Sequence, residues 1–162
     1  MQKNIFYIMG VSGCGKSTVG KLLAEELNFP FFDGDDYHPA ENLEKMASGK
    51  ALTDKDRMGW LKTLNHLAQQ YVDSGAVIAC SALKRSYRDL LRYDLKEQST
   101  FVYLKGSFSE IQARLEQRKG HFMPTALLKS QFDALEIPTD AITVAIEMKP
   151  EEIVAKILSS IA

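Results

Sequence analysis

Gly10-Val11-Ser12-Gly13-Cys14-Gly15-Lys16-Ser17 is the stretch that decides how this chain is read. The eight residues fill the pattern G-x-x-x-x-G-K-[ST] without a gap, and each residue type has a chemical reason to be there. Glycines let backbone N–H groups turn toward a polyphosphate with no Cβ in the way, and a helix N-terminus behind them adds positive potential. A lysine in the seventh place reaches the β- and γ-phosphates, and a hydroxyl in the eighth is a ligand for Mg²⁺. The flanks supply the setting. Ile5 to Met9 is an apolar, β-rich run that stops at Gly10. Val19, Leu22, Leu23 and Leu27 then recur at helical spacing. A strand, this loop and a helix in succession separate a nucleotide-binding loop from a chance glycine turn with a solvated lysine. The expected nucleotide contacts run from Gly10 through Val11, Ser12, Gly13, Cys14, Gly15, Lys16 and Ser17 to Thr18.

Outward from the loop, Phe29 to Asp33 reads as a second strand, and Pro39 to about Ser74 as helix with interruptions. Pro39 opens a helix, Gly49 ends one, and Thr53 with Asp56 forms a capping pair before the apolar face Trp60, Leu61, Leu64, Leu67, Ala68 and Tyr71. Ala76 to Cys80, Phe101 to Leu104 and Ile142 to Ile146 are three more strands, with helical stretches near 86–93, 108–119, 125–136 and 150–161. Continuously apolar strands alternating with helices predict an α/β fold, a parallel sheet covered on both faces, with ligands beyond its C-terminal strand ends.

Composition narrows the class. The 162 residues, 45% hydrophobic and 25% charged, suit one globular domain over 1–162. The formal net charge is -1 with both signs interspersed, which gives no footprint for nucleic acid. The apolar run Ile5–Met9 is too short to span a bilayer, so no membrane association and a cytoplasmic location are expected. Cys14 and Cys80 read as reduced thiols. No Asn-Lys-x-Asp guanine-reading segment occurs, and the length leaves no room for a motor's added domains. A kinase is the expected class.

Asp33-Gly34-Asp35 follows the second strand, where metal and acceptor hydroxyl are expected. Asp35 is assigned to the hydroxyl and Asp33, through water, to the outer shell of a Mg²⁺ held by Ser17. The third strand ends in Cys80-Ser81-Ala82, with no acid at that place, which raises the importance of Asp33. Arg57 and Arg88 are expected to bind an anionic acceptor; Lys84 and Arg92 read equally well as surface charges. His38 either donates to the acceptor or caps the following helix. Arg114 and Arg118 share a helix face before Gly120, His121 and Pro124, the composition of a lid over about 114–125. An arginine there neutralises a transferring phosphoryl group. The other reading is a basic helix end favoured by the helix dipole.

Together these segments resemble the gluconokinases, small shikimate-kinase-like enzymes. The resemblance runs through Gly10–Thr18, Asp33-Gly34-Asp35-Asp36-Tyr37-His38-Pro39, Asn42, Lys45-Met46, Gly49, Leu52, Asp54, Asp56-Arg57 and Trp60-Leu61. It continues in Cys80-Ser81-Ala82-Leu83-Lys84, Tyr87-Arg88-Asp89, Arg114, Arg118, His121-Phe122, Ser130-Gln131-Phe132 and Leu135-Glu136. It implies a P-loop NTPase fold with a five-stranded parallel sheet and a mobile lid. It also implies Mg²⁺-ATP as donor, D-gluconate as acceptor, 6-phospho-D-gluconate as product for the pentose phosphate or Entner–Doudoroff route, and commonly a homodimer. On this reading Lys16, Asp35 and Arg118 are catalytic, Arg114 joins the phosphate loop in holding nucleotide, and Asp35, His38, Arg57, Lys84 and Arg88 bind gluconate in a helical region of about 36–75 and the loop beyond. Cys14 stands where a serine or another small residue is usual, which makes oxidation of the loop a concern. Two rivals remain open at this point: a kinase for another small anion, such as shikimate or a nucleoside monophosphate, and a non-catalytic nucleotide-dependent interaction module.

Overall fold

The computed structural model describes residues 4–117 and 125–161. Five strands, β1 (Ile5–Met9), β2 (Phe31–Asp33), β3 (Ala76–Ala79), β4 (Ser99–Lys105) and β5 (Ile142–Ala145), form one sheet in the order β2-β3-β1-β4-β5. Every neighbouring pair is parallel. The helices are α1 (Lys16–Leu27), α2 (Ala40–Ala47), α3 (Asp54–Gln70), α4 (Arg85–Leu91), α5 (Phe108–Gln117), α6 (Thr125–Ala134) and α7 (Pro150–Ile161), with a 3-10 turn at Gly34–Tyr37.

The central strands β1 and β3 are apolar and buried throughout because successive side chains serve opposite faces, and both faces are covered. Phe6 and Ile8 of β1 join Val77, Val102 and Val144 against α1 and α7, where Val19, Leu23, Ile153 and Ile157 are buried. Ile5, Tyr7 and Met9 look the other way with Ile78 and Phe101, against Trp60, Leu61 and Leu64 of α3 and Tyr87 and Leu91 of α4. Tyr7 is wholly buried, and its hydroxyl donates to the Leu91 carbonyl at 2.7 Å, anchoring α4 to the central strand.

The local chemistry sets the boundaries. Thr53 and Asp56 form the expected reciprocal capping box, so α3 starts cleanly at Asp54. The second strand begins two residues later than its composition predicts. Asn28 is left-handed at φ 58, the Phe29 N–H is spent on the Ala24 carbonyl, and Pro30 has no N–H. Phe29 and Pro30 therefore belong to the exit from α1. In a wholly parallel sheet the C-terminal ends of all strands lie along one edge, and the polar segments after β1, β2 and β3 converge there.

Candidate active site: a phosphate cradle and an acceptor cavity

The cradle is built from backbone. Gly15, the N-cap of α1, is left-handed at φ 98. Gly10 is at φ 148, and a Cβ there would stand 2.7 Å from Cys14 Sγ and 3.0 Å from the Leu104 carbonyl oxygen. The loop's shape thus requires glycine at both ends. Lys16 Nζ folds onto the Gly10 and Val11 carbonyls at 3.0 and 3.1 Å. Ser17 Oγ donates to Asp33 Oδ2 at 3.1 Å, while Asp33 Oδ1 accepts the Asp35 N–H at 3.0 Å. One carboxylate therefore links the hydroxyl at the start of α1 to the turn after β2. The Cys14 side chain is buried, as is Cys80, so the thiol packs under the loop and does not line it. Burial pushes the Cys80 thiol up to about 12, which keeps it protonated.

Beside the cradle lies a cavity of about 770 Å³. It brings together Ser12 and Lys16 from the phosphate loop, Asp35 and His38 from the turn after β2, Arg57 and Trp60 from α3, Lys84 from the loop after β3, and Ser130 and Gln131 from α6. Residues 46–54, the end of α2 and the loop beyond it, close the outer wall. Among the lining residues the cations Lys16, Lys50, Arg57 and Lys84 outnumber the carboxylates Asp35 and Asp54, so the cavity favours an anion.

The Asp35 side chain is 77% exposed, yet it stands in this concavity with protein around it. That surrounding mass raises its carboxyl above the ordinary value; Lys16 opposes the shift, and Asp33 and Asp36 add to it. His38 is buried and stacked on Trp60, with ring centroids 3.9 Å apart. Burial first, and Arg57 second, lower its pKa to about 4, so the ring is neutral at physiological pH. Arg57 donates to the Tyr87 hydroxyl at 2.9 Å, and that hydroxyl donates to Asp54 Oδ1. Lys84 Nζ meets the same oxygen at 2.9 Å. Arg57 and Lys84 also stand over the Tyr87 ring, so this aromatic ring holds both cations at the cavity wall.

Four of the five expected acceptor residues, Asp35, His38, Arg57 and Lys84, share this cavity with Lys16. Arg88 does not. It is buried on the inner side of α4, and its guanidinium donates to the Ala82, Leu83 and Glu136 carbonyls at 2.7, 3.2 and 2.8 Å. These bonds hold the Ser81–Lys84 loop, in which Ala82 adopts φ 46, and leave Arg88 as a brace behind the cavity. A guanidinium spent on loop carbonyls does not line the cavity, and charge alone does not reveal that. Arg92, the other doubtful cation, is paired with Asp140 at 2.8 Å away from the cavity. Arg114 donates to the Ile146 carbonyl, and its Nη1 lies 3.9 Å from where a Cβ on Gly15 would be, at the mouth of the cradle. Arg118, with the rest of 118–124, lies outside the described residues.

Two contributors are invisible to charge and spacing. Gln131 Oε1 accepts the Ser12 N–H at 2.8 Å, and its Nε2 donates to Ser12 Oγ at 3.0 Å, so α6 grips the phosphate loop with one carboxamide. Asn42 holds His38 from below, at 3.2 Å. Both sit in segments that carry the family resemblance, the one signal that pointed to them.

Comparison with known proteins agrees with this geometry. The profile of the shikimate kinase family matches residues 12–162. The thermoresistant gluconokinase of Escherichia coli K12 is 46% identical over 98% of this chain and 93% of its own length. A probable gluconokinase of Mus musculus is 45% identical over 97% of both chains. The crystal structure of a gluconokinase from Sinorhizobium meliloti 1021 superposes with a TM-score of 0.88 at 41% identity, covering 98% of this chain and 91% of that one. A shikimate kinase from Aquifex aeolicus shares the fold at a TM-score of 0.64 and 25% identity over 96% and 95% of the two chains. The chain belongs to the shikimate kinase family of P-loop kinases and, within it, to the gluconokinases.

Proposed function

We propose that this protein transfers the γ-phosphoryl group of ATP to the terminal hydroxyl of D-gluconate, giving 6-phospho-D-gluconate and ADP. The observation that carries the reading is one continuous cavity in which the phosphate loop and Lys16 meet Asp35, His38, Arg57 and Lys84. A cavity with surplus positive charge beside a polyphosphate cradle suits an acid that must approach ATP despite like charge. The relatives at 46% and 45% identity support gluconate as that acid.

The loop amides and Lys16 hold the β- and γ-phosphates. Mg²⁺, when bound, neutralises charge on those phosphates. Ser17 and, through water, Asp33 fit it as oxygen donors already joined to each other. Asp35 orients the acceptor hydroxyl. The new bond runs from that oxygen to the γ-phosphorus, the bond to the β–γ bridging oxygen breaks, ADP leaves, and the hydroxyl proton passes to Asp35 and then to water. Arg57, with Lys84, binds the acid end. Arg114 holds nucleotide at the cradle mouth, Arg118 serves the transferring group, and residues of about 114–125 form the lid. We further place the protein in the cytoplasm, where ATP and a reducing environment suit its two buried free thiols, and assign it as a homodimer, as its family commonly is. No helix among the described residues is long and apolar enough to cross a membrane.

The deciding experiment is a coupled ADP-release assay on the full chain with gluconate, other sugar acids, shikimate and AMP. Gluconate-dependent release is expected. Turnover with shikimate or AMP in its place assigns a different acceptor, and ATP binding without any acceptor-stimulated release leaves a binding module. Sedimentation velocity reads the dimer.

A further inference from the structure

His38 is held from two directions. Its ring is stacked on Trp60 at an interplanar angle of 19°, and the indole is itself fixed by Nε1–H donating to the Gly34 carbonyl at 2.7 Å. From the second direction the buried Asn42 brings Nδ2 to 3.2 Å from His38 Nδ1. The same Nδ2 donates to the Asp56 carbonyl at 2.9 Å, a contact that an amide oxygen cannot make. The orientation of the amide follows, and Nδ1 meets an N–H. A ring nitrogen that accepts carries no proton, so the proton of the neutral imidazole resides on Nε2.

Nε2 lies 3.8 Å from Asp35 Oδ1. That is too far for a hydrogen bond, but it suits a third atom: an oxygen about 2.8 Å from each closes the triangle. The pair offers such an oxygen one donor and one acceptor. A hydroxyl satisfies both, whereas a carboxylate meets repulsion from Asp35 and an ammonium meets an N–H. We propose that Asn42 is a positioning residue for the phosphoryl acceptor, fixing His38 as an Nε2–H donor so that His38 and Asp35 together read a single hydroxyl. His38 then donates to the hydroxyl's lone pair while Asp35 accepts its proton. The polyol end is thereby set at Asp35 and the acid end toward Arg57 and Lys84. The inference rests on the reading of this cavity as the gluconate site. The charged groups facing the ring are Asp35, from the turn, and Arg57, from α3; α2 contributes the uncharged Asn42.

Long-range 1H–15N spectra of the full-length protein test the tautomer directly, with the His38 signals identified by their loss in His38→Gln. Protonated Nε2 and unprotonated Nδ1 are expected between pH 6 and 8. Asn42→Asp replaces the donor with an acceptor. At pH 8 the ring is then expected to turn into the Nδ1–H form and gluconate kcat to fall about tenfold, the loss of one hydrogen bond at the reacting group. As pH is lowered toward 6 the ring takes a second proton, Nε2–H returns, and kcat recovers, while KM for ATP stays near the wild-type value. Wild type has no such recovery. Should Asn42→Asp fail to fold, His38→Gln, which keeps an N–H, is expected to retain more activity than His38→Phe, which has none. An Nδ1–H tautomer in wild type, or a wild-type pH profile in folded Asn42→Asp, or equal rates in the two His38 variants, overturns the proposal. Absence of gluconate turnover in wild type instead removes the acceptor reading and leaves the tautomer result standing, so the two failures are distinct.

Discussion

The phosphate cradle and the acceptor cavity share one wall but are made in different ways. The cradle is eight consecutive residues whose working groups are mostly main-chain amides, shaped by left-handed glycines and by the start of α1. The cavity is made of side chains from separated segments, and its polar groups have supports of their own: Asp33 holds the Asp35 backbone, Trp60 and Asn42 hold His38, Tyr87 holds Arg57, and Asp54 holds Lys84. A site made of backbone tolerates side-chain change and binds a generic polyphosphate. A site made of supported side chains is where one acid is told from another.

The sharpest way to break that contrast is to disable each half separately. Asp35→Asn is expected to lower kcat by about 10²–10⁴-fold, the range for a positioned general base, with ATP affinity nearly unchanged. Lys16→Met is expected to cost about 10²–10³-fold and to weaken ATP as well, because its charge serves the phosphates themselves. Single-turnover rates together with ATP titrations separate the two. Near wild-type turnover in Asp35→Asn takes Asp35 out of the chemistry, and ATP binding weakened equally in both variants erases the division between cradle and cavity.

A second test sets two arginines against each other. Arg57 faces the cavity and Arg88 braces it from behind. Arg57→Ala is expected to raise KM for gluconate about ten- to hundredfold, the value of a charge-assisted hydrogen bond, at little cost in stability. Arg88→Met takes the buried donor from the Ala82 carbonyl, strips one of the two donors from the Leu83 carbonyl, which keeps the Glu136 N–H, and cuts the tie to the part-buried Glu136 carbonyl. It is expected to cost about 3 kcal/mol, a Tm drop of roughly 6–12 °C, with KM much less changed. Thermal melts and steady-state kinetics on both variants check this, and a large KM effect with an unchanged Tm in Arg88→Met returns that residue to the ligand.

The same contrast explains what could be read from residues alone. The cradle was legible because its determinants are contiguous and each residue type has a single stereochemical reason. The sheet was legible because two-sided burial leaves uninterrupted apolar strands. Asp35 and Arg57 were legible because they follow recognisable elements, the strand end and the capping box. Arg88 was not, since charge does not say which side of a seven-residue helix faces ligand. Gln131 was not, since an amide in the middle of α6 looks like any solvated polar residue until the fold sets it 119 positions away against Ser12. Trp60 reads as one more apolar residue of a helix face, and only the structure reveals the histidine stacked on it.

Gln131 gives a smaller, more local test, because it is where cavity wall and cradle touch. Gln131→Leu keeps the size of the side chain and removes both bonds to Ser12. It is expected to lower kcat/KM for gluconate about fivefold to tenfold, the value of a hydrogen-bonding pair, and to reduce any mutual tightening of ATP and gluconate. Gluconate titrations with and without a non-hydrolysable ATP analogue measure that coupling. If the two ligands affect each other as strongly as in wild type, the contact is only packing.

The smallest expected effect is one of stability and comes from His38 alone. Its pKa falls from an ordinary 6.5 to about 4 on folding, because burial and Arg57 both disfavour the charged ring. Between those values the unfolded chain binds a proton that the folded protein refuses, so stability falls as pH falls from 6.5 toward 4. By pH 5 the loss is on the order of 1–2 kcal/mol, a few degrees in Tm. Asp54, Asp56, Glu110 and Asp140, held below their ordinary values, lose their contribution only at lower pH, as their unfolded forms begin to protonate. Asp35, raised on folding, acts in the opposite direction, so the contribution of His38 to the slope is read as the difference between wild type and a variant without the ring. His38→Gln is expected to flatten that slope in thermal melts. A slope that survives the substitution means that the histidine is free to take up its proton, and the stacked, neutral ring that orients the acceptor's hydroxyl would then lose its physical basis.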